Sequence, residues 1–167
     1  MLASACSGGS DTPRALPSLT ASATPTATPV VVPSAASVRT PQGAEAFVRY
    51  FYSELNVAFS KSDASIVRAL SNSECEACKN YASALDAAAK MGQRIRGDSF
   101  ALTDVAVPPL EARGVIAEVL GTTPPRQLVS DSGSVLEDLK SDGAFHVQVA
   151  VKWLHEGWLV SGIRRAS

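Results

Sequence analysis

The first forty residues contain no aromatic side chain, since all ten Phe, Tyr and Trp of the 167-residue chain fall at or after Phe47. Without large apolar groups that quarter has little to bury, and the core is expected wholly downstream of it. Basic runs are missing as well. Fifteen Lys and Arg stand against sixteen Asp and Glu, a formal net charge of -1 with a pI near 6.1, so nucleic acid finds nothing to grip and is not an expected partner. No stretch reaches the ~18 consecutive apolar residues of a spanning helix, so no helical segment is expected to cross a bilayer. The G-x-S-x-G, Walker, H-E-x-x-H and G-x-G-x-x-G patterns are all absent. No catalytic residue, cofactor or metal is expected.

What is present begins at the N-terminus. Met1-Leu2-Ala3-Ser4-Ala5-Cys6-Ser7-Gly8-Gly9 sets small residues before a cysteine and a Ser/Gly-rich segment after it. This resembles a bacterial lipobox, although Ala3 stands where Leu is usual and the charged and apolar parts of a signal peptide are missing. The resemblance implies a diacylglyceryl group on Cys6 and a palmitate-type acyl anchor. The mature protein is then expected on the outer face of the cytoplasmic membrane, extracytoplasmic and lipid-anchored, because two or three acyl chains hold a protein stably where one does not. Residues 1–6 read as the remnant of a signal peptide from a truncated or misassigned start. The alternative is an unmodified cysteine in a leader.

Residues 7–40 are almost wholly Ser, Thr, Ala, Pro and Val, with Asp11, Arg14 and Arg39 their only charges. Such a composition cannot offset its ordering entropy, and the segment reads as a disordered tether. Its reach is roughly 30 Å as a flexible coil, or roughly 100 Å if its prolines hold it near polyproline II.

The folded domain is expected over 41–167. Thr40-Pro41 supplies an N-cap and a proline for the first helical position. Ala44, Phe47, Val48, Phe51, Leu55, Ala58 and Phe59 then form one stripe of an amphipathic helix. A short second helix is predicted from Asp63, with Ile66, Val67 and Leu70 inward. A third is predicted from the Ser71-Asn72-Ser73 cluster to Gly92, carrying Cys75, Cys78, Ala82, Leu85 and Ala89 on one face. Beyond Gly92 the period drops to two and β-formers dominate. Strands are predicted near 100–107, 114–120, 126–129, 144–154 and 158–164, the last two joined by a tight hairpin at His155-Glu156-Gly157. Phe145, Val147, Val149, Val151 and Trp153 should share the face that the helices cover. Helices first and an antiparallel sheet afterwards make an α+β domain.

The run from Pro41 through Tyr50, then Leu55-Asn56-Val57-Ala58-Phe59 and Cys75-Glu76-Ala77-Cys78, resembles a family of uncharacterised actinobacterial lipoproteins. Gly92, Gly97 and the closing Gly157-Trp158-Leu159-Val160 are in keeping with it. That family is similar to the NTF2-like (SnoaL and ketosteroid-isomerase) superfamily, which implies N-terminal helices packed on a curved antiparallel sheet, a cone with an apolar pocket. It implies no activity.

Cys75 and Cys78, three apart on a predicted helix, lie within disulfide reach and should pair in an oxidising exterior. Redox chemistry, free thiols or metal ligation with His146 and His155 are the alternatives. Glu74 and Glu76 oppose a reactive thiolate, and the nine-residue separation of the histidines is outside the compact zinc spacing. For the pocket, the candidate residues are Tyr50, Asn56, Tyr81, Asp104 and Trp153, with Tyr52 another possible hydroxyl. Asp104, the acidic residue of the first predicted strand, is read chiefly as a rim group, Asn56 chiefly as a flank residue and Trp153 chiefly as core. The leading functional reading is a non-catalytic binding module for an unidentified small molecule or protein, another copy through the sheet included. The alternative is an isomerase or cyclase using a carboxylate in the apolar pocket.

Overall fold

The computed structural model describes residues 30–112 and 114–166. Cys6 and most of the expected tether lie outside the described residues. Three helices come first: α1 (Pro41–Lys61), α2 (Ala64–Leu70) and α3 (Glu76–Lys90). Seven strands follow: β1 (Gln93–Arg96), β2 (Ala101–Ala106), β3 (Gly114–Thr123), β4 (Arg126–Ser130), β5 (Val135–Leu139), β6 (Gly143–Leu154) and β7 (Gly157–Arg165). The α+β order expected from the sequence is the order observed.

Each helix starts where its capping chemistry lies. The Thr40 hydroxyl accepts the Gly43 N–H at 3.0 Å and Pro41 follows it, while the Asp63 carboxylate accepts the Ser65 N–H at 2.9 Å at the head of α2. The third helix differs from expectation. It starts at Glu76, and Cys75 is its N-cap, because the preceding Ser71–Glu74 stretch is held elsewhere: Ser71 forms a parallel bridge with Val160 and the Asn72 N–H donates to the Val160 carbonyl at 2.9 Å. That stretch covers the outer edge of β7.

The strands form two antiparallel sheets, β2-β3-β6-β7 and β1-β4-β5. Pro124-Pro125 interrupts one long run and sends it from the first sheet, as β3, into the second, as β4. Strands β1 and β5 were not expected. Gln93–Arg96 is mostly polar, and Val135–Leu139 is largely exposed, so neither carries the alternation that marks a half-buried strand. The hairpin closing β6 on β7 turns through His155 and Glu156, with φ of 50° and 64°. Positive φ at both central residues is what a two-residue turn between twisted strands requires.

Helices α1 and α3 cover the inner face of the four-stranded sheet. Val105, Val115, Ala117, Val119, Val149, Val151, Trp158 and Val160 face them and are buried, as are Phe47, Phe51, Leu55 and Leu85 on the helices. The core also reaches upstream of its expected limit. Residues 30–40 are an ordered strap along α1, with a 3-10 turn at Ser34–Ser37 whose Ala36 is 1% exposed. This corrects the expectation that the whole of 7–40 is disordered tether and that the first quarter adds nothing to the core. Small side chains pack where the partner surface makes room, and Gly43 makes it: a Cβ there would fall 2.0 Å from the Val38 carbonyl oxygen. The strap is pinned by the Trp158 indole N–H to the Val38 carbonyl at 2.9 Å and by the Tyr50 hydroxyl to the Val31 carbonyl at 3.0 Å.

Candidate functional site

The space between helices and sheet is filled by aromatic rings. Tyr52 on α1 packs edge-on against Phe100 at 5.5 Å and lies parallel to Phe145 of β6 at 6.3 Å, and Phe59 and Tyr81 close on Phe100 at 6.2 and 6.0 Å. Phe145 reaches inward because Gly121 opposite it has no side chain; a Cβ there would meet the ring at 2.5 Å. Burial pushes the Tyr52 phenol well above its ordinary range, with neighbouring Tyr81 adding to the shift, and burial raises Tyr81 too. Both hydroxyls remain protonated at neutral pH. Among the described residues the buried polar side chains of the domain are Ser99 and Ser161; no carboxylate is among them.

The candidate pocket residues do not converge on one cavity. Tyr50 faces outward and holds the strap. Asn56 is a clasp: its carbonyl oxygen accepts the Ser99 and Phe100 N–H groups, both at 3.0 Å, and its amide donates to the Phe100 carbonyl at 2.8 Å, tying α1 to the lead-in of β2. Tyr81 belongs to the aromatic cluster. Asp104 is exposed, beside an irregularity in the β2–β3 register between Leu102 and Asp104 that turns it away from the interior. Trp153 packs edge-on against Trp158 at 5.1 Å.

Cys75 and Cys78 are joined by a disulfide with their Cα atoms 5.2 Å apart, and both are buried, at 0% and 2% exposure. The Cys78 N–H donates to the Cys75 sulfur at 3.2 Å, so the cross-link lies within the first turn of α3. Burial keeps attacking thiols away from it. No group of three or more His, Cys, Asp or Glu able to hold a metal occurs among the described residues. His155 lies in the hairpin. His146 meets Glu118 at 2.7 Å on the outer face of the sheet.

Sequence reading named the sheet as a route to another copy but did not single out Ile116 or Leu120 on its outer face. Ile116 and Leu120 of β3 are 44% and 40% exposed on it, and at Ile116 opens a cleft of about 590 Å³ lined also by Pro108, Pro109, Ala150 and Lys152 among others. A smaller cleft of about 300 Å³ shares Ile116 and Ala150 and runs to the start of α3. Lys152 pairs with Glu74 across the face where the two meet. Further along it Glu118 accepts from Gln148 at 2.6 Å, and the Arg164 guanidinium donates to Gln148 at 2.8 Å. The Gln148 hydrogen bond, helped by His146, holds the Glu118 carboxyl below its usual range. The alternation Ile116, Glu118, Leu120 was a legible signal of a second strand face.

Comparison with solved structures finds a chain of the same fold. The intermembrane space region of chloroplast protein ARC6 aligns with a TM-score of 0.56 at 14% identity, covering 76% of this chain and 97% of that one. A Nostoc punctiforme protein of unknown function with a cystatin-like fold aligns at 0.47 and 12%, covering 74% and 89%. A putative dehydratase of the NTF2-like family from Streptomyces avermitilis aligns at 0.44 and 17%, covering 74% and 95%. A search of curated proteins finds no match. The sequence matches the profile of the family of unknown function DUF6318 over residues 18–164, most of its length, and the chain belongs to that family.

Proposed function

We propose that this protein is a lipid-anchored extracytoplasmic binding module that engages a protein partner through the outer face of its four-stranded sheet and performs no chemistry. The observation that carries the reading is the sidedness of that sheet. Its inner face is closed by packed rings, whereas its outer face presents Ile116 and Leu120 to solvent, with a cleft of about 590 Å³ at Ile116. An isomerase would need a carboxylate in the apolar interior, and Asp104 is on the exterior. The lipobox-like segment ending at Cys6 supports the anchor, and a buried disulfide suits an oxidising compartment.

A photo-crosslinking residue at Ile116 of the full chain, expressed in its native host, tests the surface, with the same residue at exposed Ser60 on α1 as control. A discrete membrane-fraction adduct is expected from position 116, absent from position 60 and abolished by Leu120→Lys. Its mass tells a second copy from another protein. Equal adducts at both positions, or one indifferent to Leu120→Lys, defeat the surface. Equal palmitate labelling of wild type and Cys6→Ala defeats the anchor.

A further inference from the structure

The outer face of the four-stranded sheet differs on the two sides of β6. Opposed residues of an antiparallel ladder share a face, so Ile116, Ala150 and Gly162 form one row across β3, β6 and β7, and Glu118, Gln148 and Arg164 form the next. Bulk is unevenly spread along these rows. β3 presents the large exposed side chains Ile116 and Leu120, whereas Ala150 and Gly162 of β6 and β7 lie in the floor of the cleft of about 300 Å³. A Cβ added to Gly162 would meet nothing nearer than the Ala150 Cβ, at 3.8 Å, so that floor is bare.

Charge is divided in the same way. The carboxylates of the face stand on β2 and β3: Asp104, opposite Leu120, has no ion-pair partner among the described residues, and Glu118 meets the His146 imidazole and the Gln148 amide. The cations stand on β6 and β7. Lys152 is paired with Glu74, and Glu76 on the same cleft wall is paired with Lys79. That leaves Arg164, whose guanidinium donates to Gln148 at 2.8 Å and has no carboxylate partner among the described residues.

A knob and a carboxylate on one flank of β6, with a hollow and a cation on the other, are what a self-complementary surface requires. β3 and β7 lie one strand spacing, about 4.8 Å, to either side of β6. A two-fold axis lying in the face along β6 therefore sets β3 of each copy over β7 of the other and keeps every residue in its row. Ile116 then enters the hollow at Gly162, Glu118 meets Arg164, and the small Ala150 side chain faces its own copy and permits close approach. An axis across the strands would instead set carboxylates on carboxylates and bulk on bulk.

We infer that the partner of the outer face is a second copy of this chain, docked sheet to sheet about a two-fold axis along β6, with each Glu118 carboxylate paired to the Arg164 guanidinium of the other copy and each Ile116 seated over the other's Gly162. This rests on the outer-face reading and narrows it to one occupant.

The test is sedimentation equilibrium of the full chain carrying Cys6→Ala, which precludes dimers linked through that thiol. A species of twice the 17.4 kDa of one chain is expected. Glu118→Arg and Arg164→Glu should each raise the dissociation constant about a hundredfold, because like charges then meet at both symmetric contacts. Mixing the two variants in equal amounts should restore the dimer, since both contacts between unlike chains again join opposite charges. Recovery on mixing also shows that neither variant lost its fold. A monomer at every concentration, single variants that associate as the parent does, or a mixture that stays monomeric each overturns the second copy. The crosslinker at Ile116 separates this inference from the reading beneath it: a monomeric chain that yields an adduct of some other mass overturns the second copy and leaves the outer face a binding surface, whereas a monomeric chain with no adduct defeats both.

Discussion

Gly43 shows how one missing side chain extends a domain. It sits in the first turn of α1, where any Cβ would lie 2.0 Å from the Val38 carbonyl oxygen, and the same carbonyl accepts the Trp158 indole N–H. Gly43→Ala must therefore push the strap outward and break that bond. A loss of ~1–3 kcal/mol is expected, the usual cost of forcing atoms into a packed site. Urea unfolding of the variant measures it, and Trp fluorescence of the folded variant should report the altered indole. An unchanged urea midpoint would mean that the strap contributes nothing. Sequence reading passed over this residue because a glycine near a helix start carries no local signal of a distant backbone. Asn56 gave an equally faint one: its break in the apolar run was visible, but the two N–H groups it receives come from Ser99 and Phe100, far along the chain.

The helices were legible at the level of elements, since a period near 3.6 and caps such as Thr40 and Asp63 act within a few residues. The start of α3 was read too early because Ser71–Glu74 has the composition of a cap while its backbone serves the edge of β7. The disulfide locks this junction. Cys75→Ser with Cys78→Ser leaves a competent N-cap at position 75 and removes only the cross-link, so the change isolates the staple. By loop-entropy reasoning so small a ring contributes roughly 2 kcal/mol. Thermal unfolding should show a lower midpoint for the double variant, and amide exchange should quicken most in residues 71–79. A coincident melting curve would remove the bridge from the account of stability.

Across the whole molecule, carboxylates link elements that the sequence keeps apart. The Arg68 hydrogen bond, then its charge, holds the Asp86 carboxyl below its ordinary value and ties α2 to α3, as Gln148 chiefly does for Glu118 between β6 and β3. A depressed folded pKa stabilises above the unfolded value and ceases to as pH falls through the folded one. The two pairs therefore help fully at neutral pH and fade from about pH 4.5 downward, starting with Glu118, whose ordinary value is 4.5. Wild type should exceed Asp86→Asn with Glu118→Gln in urea midpoint at pH 7, and the gap should narrow by pH 3. A constant gap would refute the linkage. Both groups are exposed, so salt should shrink the gap as well.

What the sequence determined by itself is whatever acts over short distances: three amphipathic helices, the strands with clear alternation, the β6–β7 hairpin, the pairing of two cysteines three apart, and hence the α+β class. Only the tertiary structure decided that Val30 to Thr40 is strapped to α1, that the interior is filled by rings from α1, α3, Phe100 and β6, and that Asp104 points away from it. Those outcomes depend on which surfaces meet after folding, and neither side-chain period nor composition encodes a distance between residues sixty or a hundred positions apart.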